Sequence, residues 1–279
     1  MIKIYNTYKG VLIEHASNFH LLPQEDWDNF INDDAIIVNT LDKLKAENRI
    51  QDPAILLKNE LKAPVQNQEI WASGVTYFNS KLGREEESKE AGGSSFYARV
   101  YEAERPELFF KATTQRTVGP GGLVRIRKDS TWNVPEPELT LVITSSGKII
   151  GYTIGNDMSS RSIEGENPLY LPQAKTYDGC VALGPCVFLT DNPFPTDSKI
   201  RLVINRLGST VFDESIGVDQ IKRKLTDIVG YLYRECTFPK GSLLMTGTGI
   251  IPPSDFTLHV GDEVQISIDS IGTLVNTVG

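Results

Sequence analysis

Histidine and cysteine are scarce in this 279-residue chain, and their scarcity excludes several kinds of metal and redox site. The three histidines, His15, His20 and His259, form no HExxH pattern, so we expect no histidine-rich metal centre. The three cysteines are odd in number and lack the CxxC spacing of zinc and redox motifs. We expect disulfides to be absent and all three thiols to be reduced and buried, namely Cys180, Cys186 and Cys236.

An excess of positive charge and a long apolar run are also missing. Acidic residues outnumber lysine and arginine by 36 to 28, which gives a formal net charge of −8. Such a chain lacks the basic surface that attracts phosphate groups, so we expect no nucleic acid as a partner. No apolar run approaches the roughly 20 residues of a membrane span, and the first residues, MIKIYNTYKG, contain no signal-peptide core. We therefore expect no membrane partner and a cytoplasmic location.

Residues 1–68 predict a small N-terminal α+β domain. A strand hairpin is expected over residues 2–22, because two apolar segments flank a Lys-Gly turn. Helical spacing of apolar residues predicts helices over 24–32 and 40–48. The apolar residues 55–61 suggest one more strand.

Residues 69–279 have a different pattern, in which short apolar runs alternate with glycine and proline turns. Many short strands of this kind indicate an antiparallel-rich β architecture with one helix, expected over residues 217–233. The charged segment 80–93 reads as a polar helix that ends at two glycines. It is either a solvated surface helix or a mobile lid over a site.

The stretch PEPELTLVI, residues 135–143, places two acids at the start of an apolar strand. Residues i and i+2 of a strand point to the same face, so Glu136 and Glu138 project side by side. Both could be solvated at a loop end, as such pairs often are. Alternatively, a divalent cation relieves their repulsion, and carboxylate oxygens suit Mg²⁺, Mn²⁺ or Ca²⁺.

A third acid returns to the same place if the next segment forms a hairpin. The SSGK turn follows LTLVIT, and the return strand IIGYTIGND carries Asp157 back beside Glu136 and Glu138. Three carboxylates without a nearby basic residue would favour a bound cation. The alternative is that Asp157 caps a helix beginning at Met158.

Five separated motifs then resemble the fumarylacetoacetate hydrolase family. They are PEPELTLVIT, GKIIGYTIGNDMSSRSIE, QAKTYDGCVALGP, GSLLMTGTGI and GDEVQISIDSIGTLVN, and the likeness covers about residues 70–279. The resemblance implies an α+β fold with a mixed β-roll, a bound Mg²⁺ or Mn²⁺, and a small 2-keto or diketo acid as substrate. It also implies assembly as a homodimer or homotetramer.

The resemblance further implies the roles of individual residues. It identifies three metal ligands and four residues of the active site or substrate pocket: Glu136, Glu138 and Asp157 as ligands, Lys175 as the active-site lysine, Thr248 near the substrate carboxylate, and Arg161 and Glu164 as pocket residues.

The chain departs from the hydrolases of this family where they carry an N-Y-x-x-H motif. Residues 74–83 read GVTYFNSKLG, so the histidine that pairs with a glutamate to activate water is missing. The segments ERPELFFK and ENPLYLPQAK instead resemble a branch that dehydrates 2-keto-3-deoxy sugar acids. In that branch Glu107 is an active-site residue. Lys111 is a secondary candidate that either lines the pocket or extends to solvent.

This likeness implies dehydration of a sugar acid, with 2-keto-3-deoxy-D-arabinonate as the expected substrate and 2,5-dioxopentanoate as the product. Lys175 and Glu107 are the candidates for base and acid, in either order. Other reactions of the family stay open, namely hydrolysis of an acylpyruvate, decarboxylation of a keto acid, and dehydration of the L-sugar epimer. A relative that binds a sugar acid without catalysis is a further alternative.

Overall fold

The computed structural model describes residues 1–23, 25–80, 82 and 99–279, and everything below refers to those residues. Apart from residues 80 and 82, the segment predicted as a polar helix or lid lies outside them. No helix in these ranges is both long and apolar enough to cross a lipid bilayer.

Two sheets and several short helices make up the described structure. The strands are β1 Ile2–Thr7, β2 Gly10–His15, β3 Asn18–Leu22, β4 Arg49–Ile50, β5 Glu69–Gly74, β6 Glu107–Ala112, β7 Thr117–Val118, β8 Leu123–Val124, β9 Asn133–Ile143, β10 Ile149–Ser160, β11 Val181–Leu189, β12 Lys199–Arg206, β13 Ser209–Gly217, β14 Ser242–Met245, β15 Glu263–Ile268 and β16 Gly272–Val278. The helices are α1 Trp27–Ile31, α2 Ile36–Asp42, α3 Ala54–Asn59, α4 Arg161–Glu166, α5 Leu171–Lys175 and α6 Leu225–Leu232. Residues 78–80 and 99–102 are also helical.

The larger sheet has eleven strands, in the order β4-β3-β2-β1-β11-β10-β9-β14-β5-β6, with β7 beside β11. The smaller sheet has the order β13-β12-β15-β16-β8. Most neighbours are antiparallel, and the parallel pairs are β5 with β14, β7 with β11 and β8 with β16. This arrangement confirms the predicted α+β fold with a mixed β-roll.

The two sheets share one apolar core, and β9 shows how the sequence divides its faces. All eleven residues of β9 are buried. Leu139 and Leu141 belong to the core cluster that also contains Leu202 of β12 and Ile266 of β15. Because side chains alternate along a strand, the acids of β9 point to the opposite face of the larger sheet.

The hairpin that should return Asp157 to the two glutamates is confirmed. The Gly147 N–H donates to the Thr144 carbonyl over 2.9 Å at the turn. Asp157 lies directly across from Glu136 in the β9–β10 register. The alternative of a helix beginning at Met158 is wrong, because β10 continues to Ser160 and α4 follows it.

The N-terminal strands extend the same sheet. The predicted hairpin forms as β1 and β2, and β3 adds a further strand. β1 pairs antiparallel with β11, with Ile4 opposite Val187. Residues on both sides of the predicted boundary after residue 68 therefore belong to one sheet. A separate domain over residues 1–68 stays a prediction.

The strand predicted over residues 55–61 is wrong, because α3 occupies most of that segment. The Asp52 carboxylate accepts from the Ala54 N–H, and the Leu57 N–H donates to the Pro53 carbonyl, which starts a helix. Its leucines are unbranched at Cβ and favour a helix over a strand. A short apolar run fits both structures, so its pattern alone did not distinguish them.

The other predicted helices are shorter or shifted. α1 begins at Trp27, where the Asp26 carboxylate caps the helix by accepting from the Asn29 N–H. α2 begins at Ile36, four residues earlier than predicted, and residues 46–48 form only a 3₁₀ turn. In the segment 217–233 only α6 is an α-helix.

The prediction that all three cysteines are buried holds for two of them. Cys180 and Cys186 are buried, and Cys236 is exposed.

Candidate active site

The larger sheet brings three carboxylates together on the face away from the core. Glu136 and Glu138 project from β9, and Asp157 projects from β10 opposite Glu136. All three are buried, and one oxygen from each lies within 4.8 Å of the others. The convergence predicted from the hairpin is therefore confirmed.

Basic side chains surround these acids, so the condition that would favour a bound cation, three carboxylates without a nearby basic residue, is not met. The Lys175 Nζ lies 2.9 Å from Glu136 Oε1 and 3.0 Å from Asp157 Oδ2. The Lys111 Nζ lies 2.6 Å from Asp157 Oδ1. The Arg161 guanidinium lies 2.7 Å from Glu136 Oε1. The family resemblance places Lys175 and Arg161 in the site and makes Lys111 a secondary candidate, and the fold shows which acids each of them contacts.

Both lysines are buried among oxygen atoms. Lys175 donates to Asp157 Oδ2 over 3.0 Å and to the Ser159 hydroxyl over 2.6 Å, and its Nζ also lies beside Glu136. Lys111 donates to the carbonyls of Met158 and Lys175, and its Nζ also lies beside Asp157 Oδ1. Lys111 therefore does not extend to solvent as one alternative held, since it is fully buried.

Of the three acids, Glu138 makes the fewest contacts with these basic side chains. None of the ion pairs above includes it, and its Oε2 accepts from the Gly247 N–H over 2.6 Å. Burial, followed by the charges of Asp157 and Glu136, raises the pKa of Glu138 well above its ordinary value, although Lys175 and the Gly247 N–H act in the opposite direction.

A divalent cation fits the donor set of this cluster. Glu136, Glu138 and Asp157 each offer one carboxylate oxygen, and such oxygens suit a hard cation. Two ligands of one cation lie at most twice the metal–oxygen distance apart, about 4.2 Å for Mg²⁺ and about 4.8 Å for Ca²⁺. The three oxygens lie within 4.8 Å of one another, so they are close enough together to share a cation. The residues that would hold it are Glu136, Glu138 and Asp157.

Glu107 lies on β6 among residues that face this cluster. Glu107, Phe109 and Lys111 alternate along the strand and so share a face. The Phe109 ring lies 5.8 Å from the Lys175 Nζ, and Lys111 contacts Asp157. The Glu107 Oε2 is buried and has no hydrogen-bond partner among the described residues. Such an oxygen is available to a substrate.

The remaining predicted residues are also close. Arg161 and Thr248 line the same cavity as the three acids, and the Thr248 hydroxyl accepts from the Ile250 N–H within the TGTG turn. Glu164 lies 3.7 Å from the Arg161 guanidinium. Their roles in binding a substrate stay predictions.

Sequence reasoning missed several residues that line the cavity or contact a predicted site residue. They are Ser73, Gly74, Val75, Ser80, Phe109, Ser159 and Gly247. Most are small or apolar and carry no motif of their own. Ser159 follows Asp157 at i+2, so the strand alternation that revealed Glu138 could also have revealed it.

Comparisons with known proteins show the family of the chain. Residues 76–279 match the family model described as fumarylacetoacetate (FAA) hydrolase, C-terminal. A probable 2-keto-3-deoxyxylonate dehydratase of Haloferax volcanii is 48% identical over 216 residues, covering 77% of this chain and 73% of the relative. A 2-dehydro-3-deoxy-D-arabinonate dehydratase of Saccharolobus solfataricus is 44% identical over 222 residues, again covering 77% of this chain and 73% of the relative.

A solved structure extends the likeness to almost the whole chain. The 2-keto-3-deoxy-D-arabinonate dehydratase complexed with magnesium and 2,5-dioxopentanoate superposes with a TM-score of 0.83 at 36% identity, covering 99% of this chain and 98% of that one. The matched family model spans most of the β-roll, including both strands that carry the buried acids. This chain therefore belongs to the fumarylacetoacetate hydrolase family.

Proposed function

We propose that this protein is a Mg²⁺-dependent dehydratase of 2-keto-3-deoxy sugar acids. The proposed reaction converts 2-keto-3-deoxy-D-arabinonate to 2,5-dioxopentanoate and water. The observation that carries the proposal is the buried triad Glu136, Glu138 and Asp157 beside Lys111 and Lys175. It is supported by the two dehydratases above and by the related structure that contains magnesium and 2,5-dioxopentanoate.

The lysines and Glu107 divide the proton transfers between them. Lys175 lies against two carboxylates and Lys111 against one, so both are placed to donate hydrogen bonds and we assign neither as the base. Glu107 has a buried oxygen without a partner among the described residues, so we assign it as the base that removes a C3 proton. Lys175 is the candidate acid for the departing C4 hydroxyl. A bound Mg²⁺ would polarise the keto group and acidify the C3 protons.

With these assignments, the protons taken and returned by the two side chains balance over the whole reaction. Glu107 takes the C3 proton, and the C4 hydroxyl leaves as water with a proton from Lys175. The neutral lysine then removes a proton from C5, and protonated Glu107 returns one to C3. The resulting enol exchanges its hydroxyl proton for one at C4, which gives the C5 aldehyde and restores both side chains. Thr248 and Arg161 line the cavity where they can hold the substrate carboxylate.

The experiment is to incubate metal-free protein with 2-keto-3-deoxy-D-arabinonate, with and without Mg²⁺. We expect 2,5-dioxopentanoate only when the metal is present, measured by NAD⁺ reduction with an added aldehyde dehydrogenase. Glu138→Gln should abolish the product, whereas Glu214→Gln, a change of an exposed acid outside the site, should not alter the rate. No aldehyde in the presence of Mg²⁺, or equal rates without it, would overturn the proposal.

We further propose that the protein acts in the cytoplasm as a homodimer or homotetramer. The support is the family membership and, for the location, the absence of a membrane-spanning helix from the described residues. Light scattering after size exclusion tests the assembly, and a monomer mass near 31.0 kDa would contradict it.

A further inference from the structure

We propose that Gly74 is a positioning residue for Glu107, because only a residue without a side chain leaves room for the Glu107 carboxylate at the edge of the site. The contact itself is a feature of the fold. Its catalytic consequence rests on the proposed function, in which Glu107 transfers protons.

The two residues face each other across adjacent strands. Gly74 ends β5 and lies opposite Glu107, which begins β6. A Cβ atom on Gly74 would lie 1.9 Å from Glu107 Oε2 and 2.7 Å from its Cδ. Both distances are far inside van der Waals contact. Gly74 does not adopt a left-handed backbone conformation, so the carboxylate, rather than the backbone, excludes alanine here.

The end of β5 is fixed in place and cannot retreat from Glu107. The Thr76 hydroxyl donates to the Thr246 carbonyl over 2.6 Å. Gly247 packs so closely that a Cβ atom there would lie 2.1 Å from Thr76 Oγ1 and 2.9 Å from the Ser73 carbonyl oxygen. Between these contacts, buried Val75 has a φ of 51°, a strained value for a β-branched residue. A methyl group on residue 74 must therefore displace the Glu107 carboxylate.

That displacement would matter because Gly74 lines the cavity that contains the three acids. The Glu107 carboxylate lies directly against Gly74, on the strand that also carries the cavity-lining residue Phe109. A proton-transferring group has to reach its proton within hydrogen-bond distance, so a shift of about 1 Å can cost about a hundredfold in rate.

The kinetic test is a double-mutant cycle between Gly74→Ala and Glu107→Gln. We expect each single change to lower kcat about a hundredfold or more, with KM and the Mg²⁺ dissociation constant changed less than about threefold. The double variant should have about the same kcat as the Glu107→Gln variant. The reason is that Gly74→Ala acts only by displacing the carboxylate, which the glutamine has already replaced. If the two losses in kcat multiplied in the double variant, the inference would be overturned. A kcat for Gly74→Ala within threefold of that of the unaltered protein would also overturn it.

Gly217→Ala is a matched control. Gly217 also ends a strand, has an ordinary φ of −79°, and would place a Cβ 2.2 Å from a carboxylate oxygen, that of Asp219. It lies outside the acid cluster. We expect the kcat of Gly217→Ala to stay within about twofold of that of the unaltered protein. A lower kcat in Gly74→Ala then results from the displaced Glu107 carboxylate and not from replacing a glycine at a strand end.

A second cycle tests the contact without any catalysis. Gly74→Ala should lower the Tm by about 3 °C or more in the unaltered protein, and by much less when Glu107 is already alanine. Equal losses in both backgrounds would overturn the inference. If the unaltered protein showed no dehydratase activity, the proposed function would fail, and this second cycle would still decide whether Gly74 positions Glu107.

Discussion

At the scale of single residues, Lys175 contacts acidic side chains on two neighbouring strands. Its ammonium contacts Glu136 on β9 and both Asp157 and Ser159 on β10, and it is fully buried. Removing one partner of a buried ion pair leaves the other charge uncompensated, which costs about 3–5 kcal/mol. The acids of this site therefore depend on Lys175 for stability as well as for chemistry.

The corresponding prediction concerns Lys175→Met. We expect kcat to fall at least a hundredfold, because the proton donor is lost. The free energy of unfolding without metal should also fall, and Mg²⁺ should restore more of it than in the unaltered protein, since the metal replaces the missing positive charge. Thermal melts with and without Mg²⁺ measure this. Lys128→Met, which changes an exposed lysine, serves as the control. A variant that Mg²⁺ stabilises no more than the unaltered protein would contradict the reasoning.

Leu207 offers a stabilising change at the same scale. It forms the two-residue turn between β12 and β13 with Gly208, at φ values of 50° and 79°, and is 100% exposed. Positive φ at both positions is typical of a type I′ turn, which prefers Asn-Gly. Leu207→Asn should therefore raise the free energy of unfolding by about 1 kcal/mol. Leu207→Val should lower it, because a branched Cβ worsens the strain. Denaturant unfolding compares the two, and a destabilised asparagine variant would refute the prediction.

Residues with a strong local signal could be predicted, and residues defined by a distant partner could not. Glu136, Glu138 and Asp157 follow from strand alternation and one hairpin. The contact of Gly74 with Glu107 joins residues on either side of a long segment, and no local pattern marks it. For the same reason the sequence does not decide whether Lys111 lines the pocket or extends to solvent, because the oxygens that it contacts lie far along the chain.

At the scale of the elements, an ion pair joins the end of β12 to Asp262, the residue before β15; the aspartate is buried and the arginine is partly exposed. Arg206 at the end of β12 makes two hydrogen bonds of 2.8 Å to the Asp262 carboxylate, which also accepts from the His259 N–H. Burial acts to raise the pKa of Asp262, but the hydrogen bonds from Arg206 and His259 outweigh it and hold the pKa below its ordinary value.

This lowered pKa gives a pH-dependent prediction for Asp262→Asn. A carboxyl group with a lowered pKa in the folded state contributes stability above its unfolded pKa of about 3.9, and that stability is lost as the pH falls through the folded pKa. We expect the variant to lose about 2 kcal/mol at pH 7 and to approach the unaltered protein below about pH 4.

Asp213→Asn is the control for this element. Asp213 makes the same paired contact with Arg201, but both side chains are exposed, so its replacement should have little effect at any pH. Unfolding in urea from pH 3 to pH 7 measures both variants. A stability difference for Asp262→Asn that did not change over this range would contradict the assignment.

The elements themselves were predicted well wherever turns and alternation were clear. The strands of residues 69–279 agree with the apolar runs, since each run is bounded by glycine or proline. The strand predicted over residues 55–61 is wrong, because a short apolar run such as residues 54–57 fits a helix and a strand equally well until its neighbours fix the choice. The pairing of β1 with β11 lacked any local signal, since residues 8–180 separate the two strands.

For the whole molecule, the position of β1 has a practical consequence. The first strand pairs with residues 187–189 at the end of β11, and this end would lose its neighbour and become an outer edge if β1 were removed, whereas the start of β11 keeps β7. An outer strand presents a row of N–H and C=O groups without partners, which can recruit the same strand of another chain.

A chain beginning at Glu69 is therefore expected to form larger assemblies than the 279-residue chain, and to gain solubility when a peptide of residues 1–22 is added in trans. Light scattering at several concentrations would measure both effects. A truncated chain with the same assembly size as the 279-residue chain would instead favour a separate domain over residues 1–68. Because the family model begins only at residue 76, expression limited to the recognised region would also lack β5, a strand between β14 and β6. For anyone producing this protein, the limits of sequence similarity are thus poor places to cut the chain.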